Sequence, residues 1–317
     1  MVLVEIRRGD FVESSHLIEA LVYGPGSKPI FRTGIKDFHF FPRSAAKPLQ
    51  ALMLLESGAF EAFQLDSHHL ALASASHSGE AMHTQAISQW LSKLQLTEMD
   101  LRCGTHSPYD EKTLQQMWVD KKTPSALHNN CSGKHTGFLT VCKHLQMPIQ
   151  DYHLYEHPLQ QQIKSLMEKR LGETLTDYGI DGCSIPAFYM SFEAFARALS
   201  EMAREASTDD QSSSAKIFRA FAEHPFLTAG TDEYCSQRMH DHPGQLLLKI
   251  GAEGVMIAMV PAKQMAIVVK AKDGAERAIE AAMTHLLQEF AGFSMRPTAP
   301  IRNRAGIDVG SVRINLG

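Results

Sequence analysis

The sequence predicts an α+β fold: an antiparallel sheet built from strands at both ends of the chain and packed by helices, with a helical region between. Three observations predict it. Short β-branched or apolar runs broken by turn residues open the chain and return near its end. Helical periodicity fills the roughly two hundred residues between them. The stretch that runs on from Pro48-Leu49-Gln50 through Ala51-Leu52-Met53-Leu54-Leu55 is apolar on every side, which marks a helix in the middle of a domain.

In chain order, Val2–Arg7, Leu17–Tyr23 and Ile30–Arg32 read as a meander, broken at Arg8-Gly9-Asp10 and at Gly24-Pro25-Gly26-Ser27. The buried helix begins near Ser44 and stops at Ser57-Gly58, with Gly58 at its C′ position. Pro48 pushes Lys47 away from helical angles and makes that entry strained. Leu70–Glu80 reads as an extended run of small residues leading into a helix from Gly79 to Leu94, and Cys103-Gly104 as a strand end and turn. Helices follow whose inner face is Phe138, Leu139, Val141, Cys142 and Leu145, then from Pro158 to Leu171, then Phe192–Met202 capped by Ser191. Ser207–Ser214 is expected to be an exposed connector, and Met239-His240-Asp241-His242-Pro243 a surface turn. Strands Gln245–Lys249, Val255–Val260 and Met265–Ala271, the helix Ala275–Phe290 and a tail complete the chain. The expectation is one domain over 1–317, with the sheet from about 1–35 and 245–290 and the helical part over about 44–240.

At 317 residues the chain can bury a large core, and its formal charge of -4 argues against nucleic acid as a main partner. No apolar run has the length of a membrane span, and the first residues do not read as a signal peptide. Five scattered cysteines suit a reducing compartment. These features predict a soluble cytoplasmic protein.

Chemistry is suggested first by Ser44 and Lys47, three apart at a helix start and so on one face. A lysine helps a serine only as the neutral amine, which burial or a second cation supplies. Alone, this pair reads more readily as an N-cap serine and a solvated lysine. The second stretch is His128-Asn129-Asn130-Cys131-Ser132-Gly133-Lys134-His135, where Cys131 reads as a lowered-pKa thiol at a helix N-terminus or as a small buried hydrophobe. His68, His69, His77 and His83 have no metal-ligand spacing and read as surface or satisfied core histidines. The third is Lys249-Ile250-Gly251, a lysine at a strand end with a glycine that leaves room for a ligand.

A Ser-x-x-Lys helix, a serine-bearing segment and a late Lys-x-Gly strand reproduce in order the elements of penicillin-recognising serine hydrolases, with Ser76-His77-Ser78 in place of Ser-Asp-Asn. A narrower resemblance rests on six separated blocks: Pro42–Pro48, Ala75–Glu80, Cys103-Gly104-x-His106, His128–His135, Asp181-Gly182-Cys183 and Lys249-x-Gly251-Ala252-Glu253-Gly254. Together they resemble the Rhizobium etli type of L-asparaginase. That resemblance implies a serine β-lactamase-like fold, hydrolysis of L-asparagine to aspartate and ammonia, and a homodimer. It also implies two Ser–Lys pairs, Ser44 with Lys47 and Ser76 with Lys249, and a zinc ion held by Cys131, Lys134 and Cys183. Arg43, Asn130, His135 and Asp181 are candidates for gripping the substrate's α-amino and α-carboxylate groups. A glutaminase, another serine hydrolase or a penicillin-interacting enzyme is the competing reading within the hydrolases. A non-catalytic zinc-binding protein on the same scaffold is the competing reading outside them.

Overall fold

A computed structural model of the chain describes residues 2–26, 28–296 and 300–316. Ser27, in the expected second break of the meander, lies outside them. The main sheet is antiparallel in the order Ile301–Arg302, Asp308–Asn315, Val2–Arg8, Phe11–Tyr23, Met265–Ala271, Val255–Val260, Leu247–Gly251, with Pro29–Thr33 paired to Phe11–Tyr23. Chain ends therefore meet in one sheet, as the sequence predicts. Strands Val255–Val260 and Met265–Ala271 are buried along almost their whole length. The helices Phe192–Thr208 and Glu276–Ala291 pack against them.

The helical part is centred on Lys47–Glu56, in which every residue from Lys47 to Leu55 is buried. It follows a 3₁₀ turn, Arg43–Ala46. Lys47 itself adopts helical angles (φ -59, ψ -36), so Pro48 enters without the distortion expected of it. Its ring falls in the first turn, where its missing N–H costs no helical bond. Ser132–His144 crosses Ser67–Ala73 closely enough that a Cβ on Gly133 would lie 2.3 Å from the Leu72 carbonyl oxygen. Glycine at 133 is what lets these two helices touch.

Four expectations need correction. Leu70–Glu80 is not extended throughout, because Asp66 caps a helix over Ser67–Ala73 by accepting from the His68 and His69 N–H groups. Only the part after Ser74 is extended. The expected connector 207–214 shrinks to a few residues, since one helix runs on to Thr208 and Ser212 caps the next, Ser213–Glu223, through the Ala215 N–H. Met239–Asp241 belongs to the helix Tyr234–Asp241 rather than to a turn. Cys103-Gly104 ends no strand. The tail carries Asp308–Asn315, which pairs with Val2–Arg8. Among the described residues no helix is long and apolar enough to cross a membrane.

Candidate active site

Ser44 sits on the 3₁₀ turn, one turn before the buried helix that carries Lys47. The turn is forced into place from both sides. Arg43 has φ +51, a conformation costly for a residue with a Cβ. A Cβ on Gly251 would lie 2.4 Å from the Pro42 carbonyl oxygen and 3.0 Å from the Ala45 nitrogen. The glycine of Lys-x-Gly thus makes room for the Ser44 turn, where the sequence suggested room for a ligand.

Lys47 is buried to 1% exposure, and among the described residues its amine makes no hydrogen bond to Ser44. It donates to the Ala75 carbonyl at 2.5 Å, meets Ser76 Oγ at 2.9 Å and the Asn130 carbonyl at 3.4 Å. From the other side the Lys249 amine, 2% exposed, meets Ser76 Oγ at 2.7 Å and the Ile250 carbonyl at 2.7 Å. The Ser76 hydroxyl is therefore held between two lysines, while that of Ser44 makes no hydrogen bond among the described residues. Lys47, Ser76 and Lys249 form one hydrogen-bonded cluster, in which Lys47 bonds the hydroxyl of Ser76 and not that of Ser44, with which the resemblance pairs it. Burial lowers the pKa of both amines, and the Lys47 charge drives that of Lys249 further down. A neutral amine donates to its carbonyl neighbours and still offers a lone pair to the hydroxyl.

Ser44, Ser76 and Asn130 line one cleft together with Tyr109, Glu233, Ile250 and Glu276. A second hollow, on the far side of Ser44, is lined by Arg43, Lys47, Lys134 and Asp181. Asp181 pairs with the Arg43 guanidinium through Nε. It lies in the hairpin loop between Tyr178–Ile180 and Pro186–Phe188, which Ser184 turns with φ +74. That loop brings Cys183 to Cys131: both sulfurs and an Asp181 oxygen lie within 4.8 Å of one another. Cys183 Sγ is 3.0 Å from the Lys134 amine and 3.0 Å from Asp181 Oδ2. The hydrogen bond from Cys131 lowers the Cys183 pKa and, with burial, raises that of Cys131. Burial disfavours the Lys134 ammonium, but the Cys131 and Cys183 charges outweigh it and its pKa is raised. Two soft sulfurs and a carboxylate this close suit a zinc ion, whose ligands are thiolates and carboxylates near 2 Å. Lys134 fits less simply, because it must lose its proton to ligate.

His135 is fully buried. The Arg102 N–H donates to the Tyr152 hydroxyl, which in turn donates to His135 Nδ1 at 2.7 Å. The ring proton therefore sits on Nε2, which has no partner among the described residues. His77 is a satisfied core histidine, as expected: it stacks on His83 with centroids 4.8 Å apart and bonds Ser132 Oγ at 2.9 Å. Sequence reasoning missed the cleft residues Tyr109, Glu233 and Glu276 and the backbone of Thr228 and Ala229, which receives the Ser76 and Ser78 N–H groups. No spacing pattern could have singled out the last two, since they act through carbonyl oxygens.

The family model described as L-asparaginase II matches residues 4–314. No curated protein matches the chain. Among solved structures, Mglu in its tris and glutamate form is similar with a TM-score of 0.52 at 12% identity, over 89% of this chain and 61% of that one. Its native form is similar with a TM-score of 0.51 at 13% identity, over 89% and 66%. The chain thus spans less than two thirds of the length of the Mglu chains. A β-lactamase from Mycobacterium bovis aligns at a TM-score of 0.46 and 17% identity, over 86% of this chain and 94% of that one.

A buried amine is costly to the fold. Lys249→Met, similar in volume, is expected to melt at or above the wild-type temperature by calorimetry while losing turnover. A fall of about 5 °C or more would show that Lys249 is mainly a structural group.

Proposed function

The chain belongs to the L-asparaginase II family, and from that premise we propose that it is an amidohydrolase converting L-asparagine to L-aspartate and ammonia through a serine acyl-enzyme. The observation that carries the reading is the Ser76 hydroxyl held at 2.9 and 2.7 Å between two buried lysine amines. Such an array moves protons at neutral pH, because two neighbouring ammonium groups in a buried site disfavour each other. It opens onto the same cleft as the unbonded Ser44 hydroxyl.

In this reading Ser44 Oγ attacks the carboxamide carbon. Its proton passes to the Lys47 amine, one helical turn away, and onward through Ser76 and Lys249 to the departing nitrogen. The C–N bond breaks as ammonia leaves, and an aspartyl ester remains on Ser44. Water, deprotonated by the same relay, attacks the ester carbon and returns the proton to Ser44 Oγ. The Ala45 N–H is spent on the Pro42 carbonyl, so the Ser44 N–H, which precedes the first bond of its 3₁₀ turn, serves as the oxyanion donor. Arg43 and the Nε2–H of His135 are the donors for the substrate's carboxylate; Asp181 and Asn130 are the acceptors for its ammonium group. The reading has the chain work as one amidohydrolase domain, as a homodimer in the cytoplasm.

The sulfur cluster favours zinc as a companion to this chemistry. Cys131 and Cys183 would hold the ion, with Asp181 and the Lys134 amine as further donors within reach. When bound it would supply a positive charge that orients the polar end of the substrate.

Ser44→Ala and Ser76→Ala are each expected to lower ammonia release from L-asparagine by about a thousandfold. Mass spectrometry of protein quenched during turnover should find the aspartyl ester on the peptide containing Ser44. An ester on Ser76 would exchange the two roles, and full turnover in Ser44→Ala rules the serine mechanism out. Parallel assays with glutamine and a chromogenic ester separate the competing hydrolase readings. For the metal, zinc added to metal-free protein should bind one ion per chain and raise the melting temperature. Undiminished binding by the Cys131→Ser/Cys183→Ser variant would place the ion elsewhere.

A further inference from the structure

The stretch from Ser76 to Glu80 belongs to no sheet, yet its backbone is tied on both sides. The Ser76 N–H donates to the Thr228 carbonyl at 3.0 Å and the Ser78 N–H to the Ala229 carbonyl at 2.6 Å. Across from these, the His77 N–H donates to the Asn130 carbonyl at 3.3 Å, and the Tyr109 and Asp110 N–H groups donate to the Ser78 carbonyl. The position of the Ser76 hydroxyl is therefore inherited from the segment 228–229. That segment is anchored by Ser236, whose Oγ accepts from the Gly230 N–H at 3.2 Å, by Gln237, whose Nε2 donates to the Thr231 carbonyl at 2.6 Å, and by the residue four places beyond Ser76.

Both oxygens of the Glu80 carboxylate are spent on this junction. Oε1 accepts from the Ser78 hydroxyl at 2.7 Å and from the Thr231 N–H at 2.7 Å; Oε2 accepts from the Thr231 hydroxyl at 2.6 Å. Among the described residues no cation pairs with it, so its charge strengthens hydrogen bonds to neutral donors. Between them runs Gly230, at φ +150, where a Cβ would lie 2.2 Å from Ser78 Oγ and 2.9 Å from Glu80 Oε1. The chain passes so closely that only glycine fits. Glu233, on the wall of the cleft, follows two residues after Thr231.

We propose that Glu80 is a positioning residue: by clamping Thr231 to Ser78 it holds the 228–231 segment against Ser76 and keeps the Ser76 hydroxyl between its two lysines. The inference rests on the reading of Ser76 as part of the proton relay. A hydroxyl displaced by about an ångström would lose one of its amines, and misplacement on that scale can cost about a hundredfold in rate. Neither Glu80 nor Thr231 touches the lysines, so the effect passes through the backbone.

The test uses the full chain with Glu80→Ala, Glu80→Gln and Thr231→Val, measuring kcat, KM, melting temperature and amide hydrogen exchange. Glu80→Ala is expected to lower kcat by about ten- to a hundredfold with KM changed by no more than about threefold, and Glu80→Gln, which keeps one acceptor, to recover part of the loss. The Ser76 and Ser78 amides should exchange at least about tenfold faster while the central strands Val255–Val260 and Met265–Ala271 keep wild-type protection. A staple that serves only stability would lower the melting temperature and leave kcat and these two amides unchanged, which overturns the proposal. Should Glu80→Ala fail to fold, Thr231→Val decides alone, because its side chain is at the surface. Failure of the amidase reading is a separate result: wild-type protein that releases no ammonia from L-asparagine refutes that reading, whereas the exchange of Ser76 and Ser78 still decides the clamp.

Discussion

Two amines meeting one hydroxyl inside the protein is the constraint on which the rest depends. An ammonium group in a buried setting is expensive, and a second beside it more so. Lys47 and Lys249 are held where water cannot screen them, at 1% and 2% exposure, on either side of Ser76. The low pKa that follows is a property of place rather than of residue type: the same lysines at the surface would stay charged. The depressed basicity of both amines is thereby bound to the integrity of the core, because any loosening that admits water would restore the protons.

The architecture brings these groups together from three parts of the chain. Lys47 comes on a helix without a solvent face, Lys249 on the last strand of the sheet, and Ser76 on an extended segment between Thr228–Ala229 and Asn130. Two close backbone approaches make the convergence possible. Gly251 lets the Ser44 turn lie on the strand end, and Gly133 lets the helix that begins beside Cys131 lie on the Leu72 carbonyl. Arg43, with its strained angle, lines the second hollow, and Ser184, with its positive φ, turns the loop that carries Asp181 to it. Strain collects where side chains must be aimed.

Much of this is legible in the sequence, for identifiable reasons. The all-apolar run after Pro48 announces a buried helix, and alternating β-branched runs at both ends announce the sheet. Ser44 and Lys47 are visible through their spacing, and Lys249 through its glycine. Ser76 has no local signature and is found only through the resemblance of separated blocks. Polar residues near chain ends and caps mislead. Ser212 reads as part of a connector and the run from Leu70 as extended, yet Ser212 and Asp66 each satisfy free N–H groups of a helix that tertiary packing stabilises. Asp308–Asn315 alternates half-buried and exposed positions with an arginine among them, too weak a pattern to announce a strand before its partner Val2–Arg8 is known. Contacts made by carbonyl oxygens, as at Thr228 and Ala229, leave no trace in residue type.

The protonation state of Lys249 tests the central claim most directly, since among the described residues its amine hydrogen-bonds Ser76 and the Ile250 carbonyl. Nitrogen NMR of protein labelled at lysine, with Lys249→Met for assignment, reads it without substrate. A neutral amine at pH 7, titrating well below the ordinary lysine range, is the predicted result. An amine that stays charged up to about pH 10, like a lysine in water, would contradict the account, because Ser76 would then face a cation with no lone pair to offer.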